Sequence, residues 1–185
     1  MRNQKTRILV EAALMVALAV LLNMIKVYTL PTGGSITAAA MAPIVLLSVR
    51  RGWKWGLLGS GATALLQMLM DGVLVPAGEG LGQFVGVLLL DYILAFMVLG
   101  LAGLFAKPMG QRAFAVPVAS CCVTLLRYLC HFTSGIVLWG AYAPEGTPVW
   151  LYSLTYNGSY MIPETIITAL VVTILYNTLR KQVRA

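Results

Sequence analysis

The chain has 185 residues, 59% of them hydrophobic and only 10% charged, with a mean hydropathy of +0.86. A soluble domain carries about 25% charged residues, so these values exclude one and leave a single integral membrane domain over residues 1–185. The net charge of +7 could suggest nucleic acid or anionic lipid. Its placement excludes nucleic acid: Arg2, Lys5 and Arg7, then Arg50, Arg51 and Lys54, then Lys107 and Arg112, then Arg180, Lys181 and Arg184 form four clusters between apolar segments. Such clusters mark the cytoplasmic ends of membrane spans.

The pattern predicts an all-α protein with six transmembrane helices. The first runs from about Ile8 to Val27 and is read as a retained helix, because its apolar run is long and lacks a cleavage site. On it Ala13 and Ala17 form a small-xxx-small pair that admits another helix, and Ala12 and Ala19 widen that surface. The loop from Tyr28 to Ser35 carries Pro31, Gly33 and Gly34, irregular backbone able to come close to a ligand. No GxxxxGK motif follows, so a phosphate-binding loop is excluded. Segment two, Ile36 to Val49, is short for a crossing, and Pro43 is expected to distort it. Segment three spans Gly56 to Met70.

Segment four spans Leu81 to Phe105 behind a row of Gly78, Gly82 and Gly86 that predicts close packing. Asp91-Tyr92 stands within it. Segment five, Ala113 to Trp139, carries Arg127, His131, Gly135 and Trp139 at fourfold spacing, a stripe that drifts slowly round one side of a helix. Cys121, Cys122 and Cys130 also lie there, odd in number and without metal spacing, and read as buried inert thiols. An outer loop is expected to reach Asn157, before segment six from Gly158 to Leu179. Six spans with the basic clusters on one side put both termini in the cytoplasm. Five of the six carboxylates then lie toward the outer half, which favours a cation approaching from outside.

An ionisable side chain inside a span is a functional-site hypothesis by default. At about 1.5 Å per helical residue, Asp91 lies roughly 15 Å and Arg127 roughly 18 Å from the outer ends of their helices, depths that allow the two to meet. Trp139, Tyr142, Trp150 and Tyr152 supply stacking surface, Asp91 a carboxylate, His131 an imidazole and Asn157 an amide. That inventory suits an aromatic, positively charged nutrient. One histidine among dispersed carboxylates is poor ligand density for a metal, and no cofactor is implied. An intramembrane hydrolase built on His131 with Ser134 or Ser153 is the distant alternative, without a nucleophile elbow to support it.

Several stretches carry a family likeness: Pro31-Thr32-Gly33-Gly34-Ser35, Leu90-Asp91-Tyr92, His131-Phe132-Thr133-Ser134-Gly135, Trp139-Gly140-Ala141-Tyr142-Ala143, and Tyr156 to Glu164. With them the chain resembles the thiamine-specific S component (ThiT/YuaJ family) of energy-coupling factor (ECF) vitamin importers. The resemblance implies the S-component fold in a bacterial plasma or inner membrane, with an outward-facing site closed by outer loops. It implies a thiamine-binding subunit that is not an enzyme, with ATP hydrolysed by two ATPase subunits that act through a transmembrane coupling subunit. Trp139 would stack on the aminopyrimidine and Asp91 would serve the cationic ligand. Tyr92, His131, Tyr152 and Asn157 would complete the site, with Arg127 where relatives carry a basic residue. The lid falls to Gly33, Gly34 and Ser35, although residues 28–35 hold no tryptophan where some relatives place one. Ala13 and Ala17 match the family's docking motif for the coupling subunit, and the remaining partner is membrane lipid. A related vitamin or a precursor such as hydroxymethylpyrimidine is the alternative ligand.

Overall fold

In hydrocarbon a backbone must satisfy its own polar groups, and a helix does so within one segment. The structure, a computed structural model, describes residues 2–76, 80–110 and 112–184. In the described residues the chain winds into α1 (Arg2–Met24), α2 (Ala42–Arg51), α3 (Trp53–Asp71), α4 (Leu81–Met109), α5 (Ala115–Val137) and α6 (Val149–Arg184). Four of them, α1, α4, α5 and α6, are long and apolar enough to cross a membrane.

The all-α expectation needs one correction. After Met24 the chain leaves its helix, and β1 (Lys26–Thr29) pairs antiparallel with β2 (Ser35–Thr37). Val27, expected in segment one, and Ile36, expected in segment two, are therefore strand residues. Pro31 and the positive φ angles of Gly33 (95°) and Gly34 (84°) turn the chain between the strands. Pro43 does not distort α2 either. It sits in the first turn, where a missing N–H costs nothing.

The shortness of α2 has a packing cause. Ala42 to Ser48 are all buried, and a helix that is apolar all round belongs inside. α2 contacts α1, α3, α4 and α6, and its Ile44, Val45 and Leu46 form the core with Val16, Leu99 and Val172. The surrounding helices turn leucines and isoleucines outward instead. Ile162, Ile166, Leu170 and Ile174 stand exposed at fourfold spacing on α6, a face suited to lipid and not to water.

Of the expected close-packing row only Gly86 packs tightly, where a Cβ would come 3.0 Å from the Leu138 side chain. Nothing lies within 4 Å of a side chain built at Gly82, and Gly78 lies outside the described residues. A tighter contact is between α3 and α4, where a Cβ on Gly100 would come 2.6 Å from the Gly56 carbonyl carbon. Ser48 secures it by donating to the Gly100 carbonyl at 2.5 Å and accepting from Gly103 N–H at 2.8 Å. On α1, Ala12 (5% exposed) and Ala19 (1%) pack into the core, so they do not widen an outer surface; Ala13 and Ala17 are exposed. Cys121 is exposed and Cys122 and Cys130 are half-buried, so the cysteines are not the buried set expected.

Of the basic clusters, Arg50 lies 3.3 Å from Glu11, and Arg51 also pairs with that carboxylate. This ties the middle of α1 to the end of α2. The side chains of Arg2, Lys181 and Arg184, and the loop carboxylate Glu79, lie outside the described residues.

Candidate binding site

The largest departure from the expected chain path builds the site. No loop runs to Asn157: α6 begins at Val149, nine residues before the expected Gly158. Pro148 precedes it with φ suited to a helix start, and its carbonyl accepts from Leu151 and Tyr152 N–H. Tyr152, Tyr156, Tyr160 and Glu164 therefore follow one another turn by turn along one face. Ser153 and Asn157 point to α5: Ser153 Oγ donates to the Phe132 carbonyl at 2.8 Å, and Asn157 Nδ2 donates to the His131 carbonyl at 3.2 Å. Gly135 makes this approach possible, since a Cβ there would come 2.2 Å from Ser153 Oγ.

On α4, residues Leu88–Leu94 wind with i→i+5 hydrogen bonds, a local widening that is frequent at functional sites. Asp91 lies in the middle of it. Its Oδ1 accepts from His131 Nδ1 at 2.9 Å, and its Oδ2 accepts from Ser134 Oγ at 2.5 Å and Trp139 Nε1 at 3.2 Å. All three donors come from α5 and the residues just beyond it. The carboxylate is thus fixed before any ligand arrives.

The Asp91–Arg127 contact allowed by depth does not form. The guanidinium carbon of Arg127 lies 4.2 Å from the centroid of Phe96, a cation–π arrangement. Depth alone ignored the direction of each side chain, and the wide turn around Asp91 aims it at residues nearer the outer end of α5. Arg127 Nη1 is left buried without a protein partner.

These walls enclose a cavity of about 440 Å³ lined by Asp91, Tyr92, Arg127, His131, Trp139, Tyr152 and Asn157, whereas Tyr142 and Trp150, also expected to supply stacking surface, do not line it. Gly33, Gly34 and Ser35 line it too, from the turn between β1 and β2. The turn is held onto α6. Tyr156 Oη donates to the Gly33 carbonyl at 2.8 Å and accepts from Thr32 N–H at 3.0 Å. Gly34 faces the Tyr160 ring so closely that a Cβ would come 2.6 Å from it. Thr37 Oγ1 donates to Glu164 Oε1 at 2.7 Å, and the Thr37 N–H bonds to the same oxygen. At the rim, Asp71 accepts from Gln67 at 2.9 Å and from Asn23 at 3.1 Å, with Lys26 3.4 Å away. Tyr92 Oη accepts from Leu74 N–H at 2.9 Å.

Among the described residues, four buried polar atoms on the cavity lining have no hydrogen-bond partner: Gln67 Oε1, Arg127 Nη1, His131 Nε2 and Glu164 Oε2. Buried polar groups are rarely left so. In the neutral ring, donation from Nδ1–H to Asp91 leaves Nε2 as an acceptor. The cavity therefore presents aromatic faces and unpaired donors and acceptors of both kinds, matched to a flat heteroaromatic ligand. The serine chemistry of a hydrolase is not assembled. Ser134 and His131 both bond to Asp91, so the imidazole does not stand between carboxylate and hydroxyl, and Ser153 is taken up by a carbonyl.

Ser134, Tyr156 and Glu164 were not among the predicted site residues. The fourfold spacing from Tyr152 to Glu164 is the signal that would have found the α6 pair, once the helix is known to begin at Val149. Ala13 and Ala17 lie on another face, away from the cavity.

The model of the family described as "Thiamine transporter protein (Thia_YuaJ)" matches residues 9–184. The chain is 41% identical to the thiamine transporter ThiT of Bacillus subtilis over 181 residues, covering 92% of this chain and 90% of that protein. It is 32% identical to the thiamine transporter ThiT of Lacticaseibacillus paracasei over 186 residues, covering 94% and 89% respectively. A solved structure of ThiT from Listeria monocytogenes superposes with a TM-score of 0.77 at 24% identity, over 97% of this chain and 98% of that one.

Proposed function

The chain belongs to the thiamine transporter (Thia_YuaJ) family, and from that premise we propose that its cavity captures thiamine from outside the cell for import. It is a multi-pass bacterial membrane protein and not an enzyme. The single observation that carries the reading is Asp91, a carboxylate held by three donors beside the Trp139 ring in a cavity with unpaired polar atoms.

Thiamine joins an aminopyrimidine to a cationic thiazolium, and each part has a counterpart here. The aminopyrimidine stacks on Trp139, whose indole is oriented by its own N–H bond to Asp91. The positive charge is balanced by Asp91 and by the π faces of Tyr92 and Tyr152. His131 Nε2 accepts from the exocyclic amine, and Arg127 Nη1 donates to a ring nitrogen or to the hydroxyl. Asn157 positions His131 through the backbone, because its Nδ2 bonds the His131 carbonyl and its Oδ1 accepts from Tyr160 Oη at 2.8 Å. The turn at Gly33, Gly34 and Ser35 acts as the lid.

Import requires energy, which in this reading comes from two ATPase subunits through an ECF coupling subunit docked at Ala13 and Ala17. The basic clusters support cytoplasmic termini and an outward cavity. Native mass spectrometry of the purified protein against thiamine, thiamine phosphates, hydroxymethylpyrimidine and riboflavin tests the ligand. Retention of thiamine above the others is expected; equal retention of riboflavin would refute it.

A further inference from the structure

At the opposite end of the bundle from the thiamine cavity lies a second cavity of about 230 Å³. It is bounded by the turn between α2 and α3 at Val49 and Gly52, the end of α4, the start of α5 and the last turns of α6. Lys107, Arg112 and Arg180 line it together with Tyr176, and no carboxylate does among the described residues. Three cations, from the end of α4, the connection after it and the end of α6, thus converge on one space. Arg112 is placed over the Phe114 ring, 5.9 Å from its centroid. The floor is made by small residues, Gly103, Ala106 and Ala115.

From this convergence we infer that the cavity is a binding site for the phosphate-bearing headgroup of an anionic phospholipid. Basic pockets between transmembrane helices at the cytoplasmic face bind such headgroups. At about 30 Å³ per water, the space equals seven or eight waters, room for a phosphodiester and its glycerol. A soluble phosphate compound would satisfy the same cations, and competition by inorganic phosphate or ATP separates it from a lipid.

The test uses the full chain in nanodiscs of phosphatidylcholine and phosphatidylglycerol in equal amounts, with tightly held lipid read by native mass spectrometry. Each cation beside an anionic headgroup contributes about a factor of five. Lys107→Gln with Arg112→Gln is therefore expected to lower the preference for phosphatidylglycerol about twenty- to thirtyfold. Ala106→Leu, which fills the cavity without changing charge, should also abolish it. Lys5→Gln with Lys54→Gln, an equal charge change outside the cavity, should leave the preference within about twofold. Thiamine binding at the far end reports that each variant is folded. Equal loss in the Lys5/Lys54 variant, or retention in the Lys107/Arg112 variant, would overturn the site. Displacement of the lipid by inorganic phosphate or ATP would overturn its assignment to a lipid.

Discussion

Replacing Asp91 with asparagine probes the centre of the site with almost no change in shape. The carboxylate accepts from His131, Ser134 and Trp139. A carboxamide offers one acceptor oxygen and brings two N–H groups of its own, so at least one buried donor loses its partner. Each such loss costs about 1–3 kcal/mol, or about 2–12 °C in melting temperature at about 2–4 °C per kcal/mol for a chain of this size. Binding loses a charge-assisted contact to a cationic ligand, worth about 1.5–3 kcal/mol, so affinity should fall about ten- to 150-fold. Calorimetric titration gives the affinity, and thermal melting with and without thiamine separates a damaged fold from a damaged site. Ser134→Ala is the comparator. It removes one donor and keeps the charge, so its affinity should stay within about tenfold of wild type. An Asp91→Asn protein with wild-type melting temperature and wild-type affinity would refute the reasoning.

Thiamine should quench the tryptophan fluorescence of the native protein and Trp139→Phe should lose that response, while affinity falls by the stacking difference of about 0.5–1.5 kcal/mol; unaltered quenching would move the stack elsewhere. Tyr156→Phe removes both bonds to the turn at Thr32 and Gly33, each worth about 0.5–1.5 kcal/mol. Thiamine should then dissociate faster in stopped-flow measurements, and an unchanged rate would show that the turn does not retain the ligand. Ala13→Leu or Ala17→Leu should block uptake in cells through overlap with a docked helix, yet leave thiamine binding intact because both residues are exposed; lost binding would count against a docking role. On a cysteine-free background, Glu145→Cys should react with an impermeant maleimide from outside and Lys54→Cys should not, and the reverse pattern would invert the topology.

Much of the site was legible because membrane sequences make polar residues conspicuous. Asp91, Arg127 and His131 stood out as ionisable groups in apolar runs, and all three line one cavity. What stayed hidden depended on local winding. The i→i+5 turn at Leu88–Leu94 has no breaker residue to announce it, yet it decides that Asp91 meets His131 and Ser134 instead of Arg127. The start of α6 was misplaced because Thr147-Pro148 reads as loop, although proline is also suited to the beginning of a helix. The β1–β2 hairpin is only four and three residues long, and the apolar pattern of the neighbouring segments covered it. The small-residue pattern located tight packing only in kind. Gly82 matched it and faces open space, Gly86 matched it and packs on Leu138, and a tighter contact is between Gly56 and Gly100.

The most direct test of the account is a structure of the protein with thiamine bound. The aminopyrimidine ring is expected against Trp139 at van der Waals distance, about 3.5–4 Å, with a polar or cationic part of the ligand beside Asp91, beneath the turn at Gly33 to Ser35. Thiamine bound at saturation in another place, with the cavity around Asp91 unfilled, would contradict it.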